Sequence, residues 1–329
     1  MKLSVIIPYY NADKWIGRML DSLLKQDLSA DEYEIIVVDD GSKDEPIVLK
    51  EYTARYANIQ HIRQENSGPG GARNTGIKVA QGEYLFFCDS DDYILENVLG
   101  NLYEIAHSRK VDMLFHKIRR ISEDKKPLNP RINFDPVNIY SSGKDYFALP
   151  FKKKITTGIW QFIIRRDFIQ KAHLSFPPDM IMNEDSSFLI DAVLAAGPVA
   201  SVDVEAYFYV QNPQSLLHLT GRVEQKERFA DNMMWFIRKL TSIVEDKETV
   251  KDMPVDCLSN INWVRNQKAF IMLYYACLLP ADKYDSYVSE LKSLHAYPKA
   301  FGNFKILKWI FLIPSIMKFV NRILSNKKQ

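Results

Sequence analysis

The chain has 329 residues, 47% hydrophobic and 26% charged, with a formal net charge of +2. These proportions fit a globular protein with room for one large domain and an appendage, and the near-neutral balance carries no global signature of nucleic-acid binding. Three widely spaced cysteines (Cys88, Cys257, Cys277) form no CxxC or Cys/His metal pattern and read as reduced thiols of a cytosolic protein, while no stretch reaches the ~18 uninterrupted apolar residues of a spanning helix.

Leu3 to Ile7 is β-branched and apolar, closed by Pro8, and reads as a strand buried on both faces. The helix after it runs to about Gln26, with Asn11 or Asp13 as its predicted cap. Ile35 to Val38 is a second strand ending in Asp39-Asp40-Gly41-Ser42, and Asp44-Glu45-Pro46 is predicted to open the next helix. Ile59 to Arg63 reads as a strand, Gln64 to Gly71 as a loop, and Ala72 to Gln81 as a helix capped by Gly82. Tyr84 to Cys88 is a fourth strand that runs into Asp89-Ser90-Asp91-Asp92, with Asp92 the expected cap of a helix from Leu95 to about Arg109. After a short strand, Val111 to Phe115, residues 117 to 140 lose periodicity and read as an insertion. Regularity resumes at Ile159 to Arg166. Glu184-Asp185 lies at the mouth of a helix, Ser186 to Ala196, and Val199 to Val210 is an aromatic strand.

Strands alternating with helices predict a doubly wound α/β layer with a mainly parallel sheet, whose ligands bind beyond the carboxyl ends of the strands. Pro8 to Asn11, Asp39 to Ser42 and Asp89 to Asp92 all follow strand ends. The expected organisation is an α/β domain over residues 1–220, a helical region over 221–300 with helices near 222–245, 258–278 and 281–294, and a basic amphipathic tail over 301–329.

Three carboxylates within four residues at a strand end are costly unless a cation or donors offset their repulsion. Asp89 and Asp91 are therefore candidate ligands for Mg2+ or Mn2+ bridging a diphosphate, or members of a solvated turn. Asp39-Asp40 suits either a buried hydrogen bond to a nucleobase or Asx-turn chemistry around Gly41. Gly68-Pro69-Gly70-Gly71-Ala72-Arg73 satisfies neither the P-loop nor the G-x-G-x-x-G pattern, and Arg73 is open to two roles, contacting phosphate or sugar, or pairing with a neighbouring carboxylate. Glu184 and Asp185 are helix-mouth acids or a general base. His218 is a structural histidine or a diphosphate or metal contact.

Together, Val5-Ile6-Ile7-Pro8-Tyr9-Tyr10-Asn11, Val37-Val38-Asp39-Asp40-Gly41-Ser42, Asn66-Ser67-Gly68 with Gly71-Ala72-Arg73-Asn74, Asp89-Ser90-Asp91-Asp92 and Glu184-Asp185 resemble the family 2 glycosyltransferases over roughly residues 1 to 215. The resemblance implies a GT-A fold and inverting transfer from a nucleotide sugar, UDP by default. It places Pro8, Tyr10, Asp39 and Asp40 at the nucleoside, with Asp40 on the base. Asp89 falls at the ribose or metal water, Asp91 on the divalent ion, and Asp185 at the catalytic base, with Glu184 organising the acceptor or the helix mouth. Trp160 falls in the region that shapes the acceptor pocket. No Q-x-x-R-W motif of processive synthases is present, so single transfer to a glycan or polyprenyl-linked acceptor is expected.

The competing readings are a nucleotidyltransferase making a nucleotide sugar and a non-catalytic nucleotide-sugar-binding subunit. In the tail, Lys305, Lys308, Lys318 and Arg322 interleave with Trp309, Phe311 and Phe319 without an acid. It reads as a peripheral attachment to the cytoplasmic membrane face, or else as a bundle helix with its lysines in water.

Overall fold

A computed structural model describes residues 1–128, 137–149, 158–178, 180, 182–211 and 223–297. His218 and the tail 301–329 lie outside the described residues. The chain divides into two compact units, Met1–Met180 with Glu184–Pro213, and Ile181–Asn183 with Gln214–Gln329.

The first unit carries strands β1 (Leu3–Tyr9), β2 (Tyr33–Asp39), β3 (Ile59–Arg63), β4 (Tyr84–Phe87), β5 (Tyr93–Ile94), β6 (Met113–Ser122), β7 (Val137–Tyr140), β8 (Phe162–Arg165) and β9 (Val199–Gln211). Its helices are α1 (Asp13–Leu23), α2 (Ile47–Arg55), α3 (Gly68–Val79), α4 (Leu99–Ser108), α5 (Gly143–Ala148), α6 (Arg166–Lys171) and α7 (Glu184–Ala195). The strands form one mixed α/β sheet in the order β3-β2-β1-β4-β8-β6-β9-β5, with β7 on β9. β3, β2, β1 and β4 run parallel, β8 enters antiparallel to β4 and β6, and β9 again runs parallel to β6. β1, β2 and β4 are largely apolar and buried, β2 at every position, whereas the edge strand β3 exposes Gln60 and Arg63.

Register aligns the chemical loops. Tyr9 pairs with Asp39 and Ile6 with Phe87, so the residues following β1, β2 and β4 emerge together at the carboxyl edge. The Asp40 N–H donates to the Tyr9 carbonyl at 2.8 Å, and Cys88 N–H to that of Ile6 at 3.0 Å.

Several helix starts differ from expectation, for one reason: the capping groups come from distant sequence. Asn11 and Asp13 do not cap α1. The Asn11 carboxamide accepts from Lys43 N–H, and Asp13 accepts from Tyr9 Oη and from Ile47 N–H at 3.1 Å, so Asp13, rather than Asp44 or Glu45, supplies the acid at the start of α2. α4 begins at Leu99, where Gln26 Oε1 accepts from Val98 and Leu99 N–H and Asp27 from Gly100 N–H. Asp92 is therefore free of the capping role and is buried elsewhere, as described below. The expected insertion from 117 is in its first part a continuation of β6 to Ser122, because Lys117 and Arg119 pair with Asp203 and Glu205 on the adjoining β9.

α3 begins at Gly68, so the glycines occupy its first turns and not a loop, and Gly82 does not cap it. Gly82 instead packs on β1: a Cβ there would lie 2.4 Å from the Ser4 nitrogen, and its N–H donates to Ser4 Oγ. Gly82→Ala is expected to destabilise the unit by about 1–3 kcal/mol, since backbone must move. The check is a lower urea midpoint at unchanged slope.

In the second unit, α8 (Val223–Glu245), α10 (Val255–Ala276) and α11 (Ala281–Ser293) enclose a core that includes Phe229, Met233, Ile237, Leu273, Tyr284 and Leu291, while the short α9 (Lys247–Lys251) buries none of its residues. The buried Lys268 ammonium donates to Asn183 Oδ1 at 2.6 Å. All three cysteines are buried free thiols. No helix among the described residues is long and apolar enough to cross a membrane.

Candidate active site

Two groups of acids meet the carboxyl edge on either side of β1, one strand spacing away in each direction, roughly 10 Å apart across the sheet. On the β2 side, Asp39 commits both oxygens inward: Oδ1 accepts from Ser42 N–H at 2.8 Å and Oδ2 from Arg63 Nη1 at 2.9 Å. The turn this builds requires Gly41, whose φ is 74° and whose Cβ would meet Asn66 N at 3.0 Å. Among the described residues Asp40 commits only Oδ1, which accepts from Gln64 Nε2 at 2.8 Å and Ser67 N–H at 2.9 Å. Turn chemistry thus falls to Asp39, and the unshared oxygen to Asp40. Pro8 is half-buried at the end of β1 and Tyr10 is 47% exposed beside it.

On the β4 side the organising group is Arg73. Its buried guanidinium donates to Asp89 Oδ1 at 2.8 Å and to Glu184 Oε1 at 3.1 Å, and lies 2.8 Å from Asp185 Oδ1. Of the two roles open to Arg73, the structure shows carboxylate pairing. The glycine-rich sequence explains how the arginine arrives there. Gly70 lets α3 approach Pro177, where a Cβ would stand 2.8 Å from the carbonyl oxygen. Asn74 exchanges two hydrogen bonds with the Phe176 backbone, at 2.8 and 2.9 Å, and the Arg73 guanidinium stacks over the Phe176 ring at 5.4 Å. Phe176 in turn stacks on Phe188 of α7 at 4.2 Å. α3 is thereby fixed against the helix whose first turn carries Glu184 and Asp185.

Burial, reinforced by Glu184 and Asp89 and opposed by Arg73, pushes the Asp185 carboxyl up to about 8. Its second oxygen receives Ile159 N–H at 3.5 Å. Burial works against the Arg73 charge, but Asp185, Asp89 and Glu184 outweigh it and raise its proton affinity. A base poised near neutrality is what proton abstraction from a hydroxyl requires.

The Asp89–Asp92 run divides into distinct environments. Asp92 is wholly buried, accepting from Tyr207 Oη at 2.7 Å and Val210 N–H at 2.7 Å, and burial with the nearby Asp91 and Asp89 charges raises its pKa well above the carboxylate range. Tyr207 Oη also accepts from Asp89 N–H at 2.9 Å, so one phenol fixes the acid loop at both ends. Tyr207→Phe is expected to leave Asp92 and the Asp89 amide short of partners and to cost about 1–3 kcal/mol, read by chemical unfolding. Asp91 and Asp89 remain partly exposed, the latter at 28% for its side chain.

Among the described residues no three His, Cys, Asp or Glu side chains converge as a metal cage. Two partly exposed aspartates fit a hard divalent ion that draws its other ligands from phosphate and water. A separate cavity of about 450 Å³, lined by Leu24, Tyr33 and Tyr56 among others, includes none of these acids. Asn74, Phe176, Gln64 and Tyr207 were not singled out from sequence. Asn74 alone carried a signal, as the neighbour of Arg73 in the same motif.

A parallel α/β half-sheet that continues into antiparallel strands, with acids at the carboxyl edge and a second acid pair on α7, is the GT-A type of nucleotide-sugar fold. The chain belongs to glycosyl transferase family 2, whose family model matches residues 4–171. It is 33% identical over 219 residues to the glycosyltransferase EpsJ of Bacillus subtilis (strain 168), covering 66% of this chain and 63% of that protein. It is 29% identical over 278 residues to a poly(ribitol-phosphate) β-glucosyltransferase of Bacillus spizizenii, covering 83% of this chain and 42% of that protein. The chain thus spans less than two thirds of either relative. The crystal structure of S. aureus TarS 1–349 in complex with UDP-GlcNAc superposes with a TM-score of 0.60 at 21% identity, over 90% of this chain and 89% of that one, which shows the shared fold.

Proposed function

We propose that the protein transfers a sugar from a nucleotide donor, a UDP-sugar, to a hydroxyl of a glycan or lipid-linked acceptor, with inversion and with Mg2+ or Mn2+. The observation that carries this reading is the Arg73 bridge, which holds Asp89 of the leaving-group loop and Asp185 of the opposite helix on one cation. Asp40, through the oxygen left out of its turn, selects the base, with Pro8 and Tyr10 against the nucleoside. Asp91 and Asp89 would hold the divalent ion, which when bound neutralises charge on the departing diphosphate. The Asp185 carboxylate takes the acceptor hydroxyl proton, the oxygen forms its bond to the anomeric carbon, and the bond from that carbon to the nucleoside diphosphate breaks. Glu184, paired with Arg73, holds the mouth of α7. No separate carboxylate is required as nucleophile, in keeping with one displacement and inversion. The names of the relatives admit a polyol-phosphate chain among the acceptors.

Thermal stabilisation and slow hydrolysis measured across a panel of nucleotide sugars, with Mg2+, Mn2+ or chelator, test the reading. UDP-sugars are expected to stabilise the chain and release UDP only with metal. Pyrophosphate released from a nucleoside triphosphate would assign a nucleotidyltransferase instead. Donor binding without hydrolysis or transfer would assign a non-catalytic subunit.

A further inference from the structure

One side of α1 carries polar groups at helical spacing. Arg18, Ser22 and Gln26 follow one another at intervals of four residues, so they share a face that begins in α1 and runs just past its end. All three bond to the main chain at and beyond the Asp89–Asp92 run. Arg18 Nη2 donates to the Asp91 carbonyl, and Ser22 Oγ accepts from Ile94 N–H at 3.1 Å. Gln26 donates to the Leu95 carbonyl at 2.9 Å and accepts from Val98 and Leu99 N–H. The helix itself is anchored, since Ile16, Met19, Leu20 and Leu23 are fully buried in the core. The backbone of residues 91–99 is thus held from one helix face.

Arg18 is the member of this row that reaches a candidate ion ligand. Its guanidinium carbon lies 5.7 Å from the Tyr93 ring centre, and Tyr93 stacks on Phe208 of β9 at 4.7 Å with planes 9° apart. The ring backs the guanidinium and aims it. Arg18 Nε is buried and has no hydrogen-bond partner among the described residues, a costly placement that is tolerated in a side chain whose Nη2 reaches the Asp91 carbonyl. The loop is also held on either side of Asp91. Asp92 N–H donates to the Asp89 carbonyl at 3.3 Å, and Tyr207 fixes both the Asp89 amide and the Asp92 carboxylate. With the peptide after Asp91 held by Arg18, the soft backbone dihedrals of Asp91 are set, and its carboxylate has only side-chain rotamers left to choose.

We propose that Arg18 is a positioning residue for the divalent ion: through the Asp91 carbonyl it holds the Asp91 carboxylate in the direction from which it ligates. This rests on the reading of Asp91 and Asp89 as the ion's ligands. Arg18 acts on the ion in two ways of opposite sign. Its positive charge repels a cation bound nearby, so if charge were the whole effect its removal would tighten binding. Its hold on the loop keeps a ligand in place, so if geometry dominates its removal weakens binding. Geometry is expected to dominate, because the guanidinium charge already faces a carbonyl dipole and an aromatic ring. A hard ion with few protein ligands depends on each of them.

The test is Mn2+ binding to the whole chain with saturating UDP, read from the electron paramagnetic resonance signal of the free ion. The unmodified chain is expected to bind Mn2+, and Arg18→Met to weaken that binding at least tenfold while UDP affinity measured with chelator changes less than twofold. Arg18→Gln stays polar at a half-buried position and is expected to show the same loss, so it carries the test if Arg18→Met does not fold. Arg18→Lys keeps a charged donor for the carbonyl and is expected to recover affinity to within threefold. Lys25→Met removes an exposed cation paired with Glu96 and is expected to change Mn2+ binding less than twofold. Raising Mn2+ a hundredfold should restore donor hydrolysis in Arg18→Gln to within threefold of the parent, the mark of a weakened ion rather than of a damaged site. Unchanged or tighter Mn2+ binding in the Met and Gln variants, no recovery in Arg18→Lys, or an equal loss in Lys25→Met would overturn the positioning role and leave the transferase reading standing. An unmodified chain that binds no Mn2+ sinks the reading of Asp91 and Asp89 as ion ligands first, and this inference with it.

Discussion

Arg73→Met is expected to lower the stability of the first unit by about 3–5 kcal/mol and to abolish sugar transfer at neutral pH. Three carboxylates from two distant segments lie against one guanidinium that is 3% exposed, and removing it leaves buried negative charge with no partner. The variant would regain neutrality by taking up protons. Because Arg73, more than the Ile159 N–H, lowers the proton affinity of Asp185, its loss moves that carboxyl above about 8 and withdraws the ionised base at pH 7. Arg73→Lys separates charge from geometry. It keeps a cation but not the fork that meets Asp89 and Glu184 from different nitrogens, so stability should recover in part while transfer stays at least 10²-fold down, as expected when reacting groups are misplaced by about 1 Å. Urea midpoints and donor hydrolysis rates measured on both variants decide the point. An unfolding midpoint unchanged in Arg73→Met would show that the bridge contributes nothing.

The inner parallel strands β1, β2 and β4 are legible because they are buried on both faces and therefore written as largely apolar runs; the edge strand β3 also spans Ile59–Arg63, although Gln60 and Arg63 are exposed. Helix starts were less legible because a cap is a local signal only when the chain caps itself. Here Gln26 and Asp27 cap α4 from about seventy residues away, and Asp13 serves α2. β6 was cut short in the sequence reading because its second half carries Lys117, Arg119 and Arg120, a pattern that resembles a loop until the partner strand supplies acids and a ring. The candidate acids themselves were readable as strand-end clusters. What bound them together was not: the glycines beside Arg73 suggest anion approach, yet Gly70 makes room for Pro177, a contact that depends on a segment a hundred residues later.

Asp185→Asn carries the sharpest test of the mechanism. On the proposed chemistry it should lower kcat by 10²–10⁴-fold, the usual worth of a positioned general base, and leave donor stabilisation intact because Asp40 and the Asp89 loop are untouched. Asparagine keeps an oxygen for Ile159 N–H and leaves Asp89 and Glu184 on Arg73. The unmodified chain should show kcat/KM rising with pH as the Asp185 carboxyl, pushed up to about 8, loses its proton; the variant's residual rate should lack that limb. Stability gives an independent reading of the same group. A carboxyl whose folded pKa lies above its unfolded value favours the folded state while protonated, so that contribution is present below the unfolded value near 4 and is lost as pH rises through about 8. Asp185→Asn removes this slope, so the variant should gain stability relative to the parent as pH rises across that window while its activity stays low. A variant that transferred sugar at the parent's rate would place the base elsewhere, and one that lost activity only by unfolding would return Asp185 to the role of a helix-mouth acid.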